Sequence, residues 1–336
     1  MVGAVEKPYR LIGGRIPLVE GPLKVTGRAE YTDDLRRPGQ LVGRLLRSPW
    51  PHARLVSVNV DRARAIPGVH AVLTGDRYPT TFGVLPITHD ETAIAVGKSR
   101  YIGDIIAAVA ADSERTAEAA MAVIDFEVEP LPEHSDARAG VVPVKEPVQA
   151  RGIGGSNLQK EVVQHFGDVD AAVRTAARVA RVRASFAGVS HAFTEPQATI
   201  AEATPDGRLT VWSATQVPHY LHQALSEVLG LPMHRIRVVK PVVGGGFGGK
   251  SDPLPHEIAC AALALETGRP VKMVFDREDV FLTNHGRHPT WNDVQIAVEA
   301  EGRLLADDID ALIEGGAWSS FGTVTTYYTG VLTAGP

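Results

Sequence analysis

The chain has 336 residues, 44% hydrophobic and 22% charged, with a formal net charge of −5. That length can bury two cores, the composition is that of an ordinary soluble globular protein, and the acidic balance excludes nucleic acid and acidic membrane surfaces as main partners. No apolar stretch is long enough to span a bilayer, Met1 to Lys7 lack a signal-peptide core, and the lone Cys260 can form neither an internal disulfide framework nor an iron–sulfur site, so the cytoplasm is the expected compartment.

Residues 1–30 are turn-rich, with Gly13, Gly14, Gly21, Pro22 and Gly27 breaking any periodicity. Strands are expected at Leu41–Leu46, Leu55–Val60 and Val69–Leu73, with a short basic segment, Asp61–Ile66, between the last two. Ile105–Ala110 reads as a buried strand, Ser113 as the N-cap of an Ala-rich helix to about Ala122, and Val123–Val128 as a further strand before Pro130. This alternation predicts a compact α/β domain over residues 1–130. Residues 131–157 carry Pro132, Pro143, Pro147, Gly152, Gly154 and Gly155 with little periodicity, the mark of an extended linker.

A second domain is expected over residues 158–336. Asp168–Val179 has helical apolar spacing, Val182–Phe186, Ala198–Ala203 and Leu209–Ser213 read as strands, and His219–Leu229 as a helix. Val294–Gly316 predicts a hairpin turning at Glu301 and Gly302. Phe321–Pro336 is apolar and β-rich with no polar tail, which predicts that the fold continues beyond Pro336 in a separate subunit or further sequence.

The most informative stretch is Pro241–Ser251, with five glycines in six residues interrupted only by Phe247. Ile236–Val243 would deliver it as a buried strand. A helix would open near Pro253 or Pro255, its apolar body running from Ile258 to Leu265 and its positive end facing the loop. Glycine admits close backbone approach and φ > 0, and successive N–H groups make an anion-binding concavity. Gly244–Ser251 also fits the phosphate-loop pattern, and Gly244, Gly246 and Gly249 with Asp276 after the strand Val271–Phe275 fit the dinucleotide fingerprint. Both need a helix starting inside the motif, where Pro253 and Pro255 would each remove a donor. A ligand-free glycine turn is the remaining alternative.

Taken with Thr215–Pro218 before it and Gly286–Pro289 after it, the loop resembles the molybdopterin-binding large subunit of the xanthine oxidase family of molybdenum hydroxylases. Lys24–Tyr31 and Arg100–Asp104 resemble that family's α/β-hammerhead domain, so the expected fold class is α/β (α+β), a hammerhead followed by the first part of a molybdopterin-binding domain. Within the family, Phe82–Glu91 is most similar to the α subunit of 4-hydroxybenzoyl-CoA reductase. The resemblance implies a molybdenum–molybdopterin cofactor, in bacteria often the cytosine dinucleotide form. It also implies FAD and iron–sulfur clusters on partner subunits, and two-electron chemistry on an aromatic acyl-CoA, as in 4-hydroxybenzoyl-CoA reductase, with hydroxylation of an aldehyde or N-heterocycle as the alternative. Gln216 matches the family's neutral donor to the metal's apical oxo ligand, and an amide N–H₂ donates without titrating. Gly245, Gly246, Phe247 and Gly248 match the segment that approaches molybdenum and pterin, although Phe247 also reads as a core plug.

Lys250 is read as an anchoring charge or an exposed lysine, and Glu195 as a channel-lining or solvent-exposed loop carboxylate. His285 and His288, three apart around a glycine–proline turn, make a weak metal pair, and His219 and His222 read as solvated helix residues. Ser251 stands where purine-oxidising members carry glutamate, which disfavours a purine substrate. The family's glutamate base belongs to the second half of the large subunit, so the chain is expected to hold half an active site and to need a complementary C-terminal half. A non-catalytic scaffold is the rival reading.

Overall fold

A computed structural model describes residues 11–333; the start of the turn-rich N-terminal stretch and the last three residues of the apolar terminus lie outside the described residues. The first part contains α1 (Gly21–Val25), β1 (Leu41–Arg47), β2 (Ala53–Asn59), α2 (Asp61–Arg64), β3 (Val69–Thr74), β4 (Lys98–Ser99), β5 (Ile105–Ala111), α3 (Glu114–Met121) and β6 (Asp125–Pro130). The second contains α4 (Val169–Thr175), β7 (Arg178–Phe186), β8 (Ala198–Ala203), β9 (Leu209–Ser213), α5 (Pro218–Leu229), β10 (Ile236–Val239), α6 (Pro255–Thr267), β11 (Val271–Val274), α7 (Arg277–Thr283), β12 (Thr290–Val298), β13 (Leu304–Ile313) and α8 (Gly322–Thr333).

Seven strands form one mixed sheet in the order β10-β9-β8-β11-β1-β5-β3. Its two contributions meet where β1 runs parallel to β11, with Leu41 opposite Val271 and Val42 opposite Lys272. Every residue of β5 is buried. Ala108 and Ala110 face a core with α5 and α6, while Ala107, Val109 and Ala111 face a second core with α2 and α3. A strand covered on both faces reads as a continuous apolar run, which is why this stretch shows no alternation.

Helix α6 is the central support. Its residues from His256 to Ala264 are all buried, as expected of a helix apolar on every side. Fully burying Ile258 or Leu263 contributes about 1.5–3 kcal/mol each. Cys260 is buried there too, as its apolar context predicts; burial pushes its thiol pKa up, and its Sγ lies 3.3 Å from the Val271 carbonyl. Gly230 and Gly268 end α5 and α6 in the left-handed region (φ +67° and +62°), the usual helix stop. Ser113 caps α3 through a bond from the Thr116 N–H.

Two antiparallel three-stranded sheets, β13-β12-β7 and β4-β2-β6, complete the fold. The expected hairpin is β12–β13, with Gly302 at φ +85° in its turn. Strand β7 starts earlier than expected: Asp168 caps α4 and Ala176 is already extended, so residues 178–179 join the strand instead of the helix.

Two further expectations fail. Ile236–Val243 is not one buried strand. Regular pairing stops at Val239, only Ile236 of β10 is buried because β10 is an edge strand, and Val242 makes an isolated bridge to Tyr31. The β-rich terminus is helical. Hydroxyls of Thr325, Thr326 and Thr329 donate to carbonyls four residues back, which satisfies them inside α8 despite their β propensity.

Candidate functional site

Between β10 and α6 the glycine-rich loop folds on itself. The Gly249 N–H donates to the Gly246 carbonyl (2.7 Å) and the Ser251 N–H to the Gly248 carbonyl (3.1 Å). Gly245 and Gly248 have φ of +108° and +96°, which only glycine adopts readily. Phe247 shares this region at φ +51°, a strained setting for a bulky residue, and its ring is 68% exposed. It is therefore no core plug: the turn directs the ring into solvent. The N–H groups of Gly245, Gly246 and Phe247 have no acceptor among the described residues.

Gln216, in the bend between β9 and α5, packs against this loop. Its Oε1 accepts from the N–H groups of Gly248 and Lys250, both at 3.2 Å, and its own N–H donates to the Lys250 carbonyl at 2.8 Å. A Cβ on Gly246 would stand 2.3 Å from that Oε1, so glycine is required there for contact with Gln216. Because two backbone donors claim the amide oxygen, the carboxamide orientation is determined, and Nε2 is left as a donor with no partner among the described residues.

Lys250 and Glu195 are neither exposed nor idle. Lys250 is 1% and Glu195 11% exposed at the side chain, and Lys250 Nζ lies 2.8 Å from Glu195 Oε2 and 2.9 Å from the Glu195 carbonyl. The same Oε2 accepts from the Gly244 N–H at 2.7 Å. Lys250 Nζ also sits 4.6 Å from the centre of the Phe193 ring. Burial lowers the Lys250 pKa, and the bond to Glu195 opposes that shift. On the loop's other side a Cβ on Gly249 would stand 2.8 Å from both His191 Nδ1 and Asn284 Nδ2. Burial, then the nearby Arg287 charge, lowers the His191 pKa and favours the neutral ring.

The four histidines weighed above do not converge on a metal, and among the described residues no His/Cys/Asp/Glu cluster could hold one. His222 bonds the Met233 carbonyl, His288 the Glu314 carbonyl, and His219 is exposed. His285 lies between two buried carboxylates, with Nδ1 2.5 Å from Asp252 Oδ2 and Nε2 3.6 Å from Glu91 Oε1, while Ser320 Oγ donates to the same Asp252 oxygen. Burial alone would lower the His285 pKa, but the Glu91 charge and the bonds to Asp252 and Glu91 hold it well above the usual value. Burial also raises the Glu91 pKa. Sequence reading missed this cluster and the Glu195–Lys250 pair, whose hydrogen-bonded members lie 33 to 68 positions apart and carry no periodic signal.

Both nucleotide-type readings of the loop fail on geometry. Helix α6 begins only at Pro255, outside the motif, and its first turn is closed by its own Glu257, whose Oε2 accepts from the Leu254 N–H at 2.7 Å. The positive helix end expected to face the loop is thus already occupied by a carboxyl group, whose pKa burial raises to about 7. Lys250 is committed to Glu195, and Asp276 caps α7 instead of meeting a ribose. What remains is a strained loop with three unused N–H donors beside an oriented amide donor. That set suits an oxygen-rich metal–pterin group: Gln216 Nε2 and the Gly245–Phe247 N–H groups are the donors this chain would offer it. A cleft of about 380 Å³, lined by parts of residues 51–52, 100–102, 133–160 and 312–326, contains none of these groups.

Comparison with known proteins places both parts of the chain in families. Residues 26–132 match the family described as "Aldehyde oxidase and xanthine dehydrogenase, a/b hammerhead domain", and residues 155–336 match "Molybdopterin cofactor-binding domain". The nicotinate dehydrogenase large molybdopterin subunit of Eubacterium barkeri is 33% identical over 98% of this chain and 76% of its own length. A putative xanthine dehydrogenase molybdenum-binding subunit of Escherichia coli is 33% identical over 90% of this chain but only 41% of its own. Quinoline 2-oxidoreductase from Pseudomonas putida superposes with a TM-score of 0.75 at 30% identity, covering 89% of this chain and 39% of that one. The chain thus spans about three quarters of one relative and about two fifths of the other two. It belongs to the xanthine oxidase family of molybdenum hydroxylases, as a molybdopterin-binding large-subunit chain with an N-terminal hammerhead domain.

Proposed function

We propose that this chain supplies one wall of the cofactor site of a molybdopterin-dependent oxidoreductase, with Gln216 as a neutral hydrogen-bond donor and Gly245, Gly246, Phe247 and Gly248 as the backbone that approaches the group. The observation that carries this reading is the Gln216 carboxamide: its oxygen is held by two loop N–H groups, so its free N–H₂ is preorganised as a donor. When bound, the molybdenum–pterin group supplies two-electron oxidation or reduction at a carbon of the substrate. This chain's residues orient that group and present uncharged donors to it. The general base is assigned to the C-terminal half of the large subunit, and FAD and iron–sulfur clusters to partner subunits; for the clusters the reason is that a single buried cysteine cannot ligate one. The pterin is assigned the cytosine dinucleotide form.

For the substrate we favour a small N-heterocycle. The relatives named above include a nicotinate dehydrogenase and a quinoline 2-oxidoreductase, and Ser251 stands where a purine site is expected to carry glutamate. The acyl-CoA alternative rests on Phe82–Glu91. Phe82 is fully buried, and Glu91 reaches the loop's exit only through His285 and Asp252, so the likeness there lies in residues that touch neither Gln216 nor the free loop N–H groups. Metal and pterin analysis of the chain assembled with its neighbouring gene products tests the proposal: about one molybdenum per chain is expected. An assembly without molybdenum or pterin would leave the scaffold reading in its place. Turnover of an aromatic acyl-CoA but no N-heterocycle would reverse the substrate preference.

A further inference from the structure

Both ends of the glycine loop return to one carboxylate. Glu195 Oε2 takes the N–H of Gly244, where the loop begins, and the ammonium of Lys250, where it ends. The backbone repeats the connection, since Lys250 Nζ reaches the Glu195 carbonyl and the Glu195 N–H donates to the Gly244 carbonyl at 3.3 Å. Ordering a segment this rich in glycine is entropically costly, and the loop's own hydrogen bonds are few. Lys250 also connects the loop to the donor side chain, because its N–H and carbonyl both bond Gln216. A buried ion pair is weak support for stability in itself, since an apolar pair of similar volume often serves as well. Its position at the loop's closure gives it another role.

We propose that Glu195 and Lys250 are positioning residues: their pair closes the loop into a ring and, through the Lys250 backbone, holds the Gln216 carboxamide with its oxygen inward and its N–H₂ free. This rests on the cofactor reading above only for what the free N–H₂ serves. The pair touches neither substrate nor reacting atoms, so its effect is carried entirely by Gln216 and the loop.

The test uses the assembled protein and the double variant Glu195→Gln with Lys250→Met. It removes the ion pair but keeps an acceptor for Gly244, and no buried charge is left unpaired. Amide hydrogen exchange should show the Gly248 and Lys250 N–H groups losing about tenfold or more of their protection, with Gly244 unchanged and the thermal midpoint close to wild type. The molybdenum-centred spectrum should shift, and turnover should fall about 10²-fold, as for a misplaced catalytic donor. In the wild type, Gly248 and Lys250 should exchange far more slowly than Gly97, whose exposed N–H has no acceptor among the described residues. Wild-type exchange as fast as Gly97, or a variant with unaltered protection and spectrum, would overturn the clamp. So would a variant that simply unfolds, by showing that the pair serves stability. A wild-type assembly lacking molybdenum would defeat the cofactor reading, while the exchange contrast would still decide whether the pair closes the loop.

Discussion

Replacing Gly246 by alanine isolates the contact between loop and amide. The new methyl carbon would lie 2.3 Å from Gln216 Oε1, 2.7 Å from Cδ and 3.1 Å from Cγ, so the side chain must swing away. Gly246 is outside the positive-φ set, so alanine brings no backbone strain and the effect is steric. Gln216 then loses its bonds from Gly248 and Lys250. Each is worth about 0.5–1.5 kcal/mol net, and because Gln216 is solvent-facing the lower half applies, giving about 1–2 kcal/mol of lost loop order. The hydrophobic cores are untouched, so the global unfolding midpoint should move little. Displacement of the donor should lower turnover about 10²-fold in the assembled protein. The control is Gly315→Ala, whose new methyl would meet nothing closer than 3.8 Å and which should stay within about 0.5 kcal/mol of wild type. Steady-state turnover, molybdenum content and thermal unfolding read these outcomes together. A Gly246→Ala protein with wild-type turnover and spectrum would refute the reasoning that the loop orients Gln216.

Gln216→Glu should keep the loop folded, because a carboxylate still accepts both N–H groups, yet lose activity about 10²-fold because the donor is gone; equal activity would remove the donor role. Phe247→Ala should change stability by less than about 1 kcal/mol because the ring is exposed, and Phe247→Gly should match or exceed wild type by relieving the positive φ; a loss of several kcal/mol in urea unfolding would mean the ring is packed. The folded pKa of His285 is raised, so its contribution is fully present below the unfolded value near 6.5 and is lost as pH rises through the higher folded value. His285→Gln should therefore flatten the alkaline arm of a stability-against-pH curve, and an unchanged curve would contradict the charged assignment.

The sequence was informative where one local rule governed the outcome. The two-sided burial of β5 follows from its apolar run, and α5 and α6 carry plain start and stop signals in Pro218, Pro255, Gly230 and Gly268. The glycine loop announced a close approach, but not what it approaches. Gln216 is 32 positions from Gly248 and its role depends on which atom faces the loop, a tertiary fact. Lys250 in a Gly-Lys-Ser string carries the same local signal whether it binds phosphate or a buried carboxylate. Glu91, Asp252, His285 and Ser320 meet only because the hammerhead segment folds against the loop's exit, and nothing periodic marks them. The terminal helix was misread because threonine and tyrosine favour strands in general, whereas here the helix's own carbonyls satisfy the hydroxyls.

The parallel pairing of β1 with β11 has a consequence for how the chain can be divided. Four strands of the large sheet come from beyond residue 190 and three from before residue 112, and the seam is this one pairing. The two family matches at 26–132 and 155–336 look like separable modules along the chain, but backbone hydrogen bonds join them. A cut within residues 131–157 would leave β1 exposed on one fragment and β11 on the other, each a bare template for the wrong partner. It would also strip α6 of three of the strands it packs against, β1, β3 and β5, leaving it β8, β9 and β11. The two matched segments thus share one sheet, and the pairing that joins them spans some 230 residues, which places its closure late on any folding route.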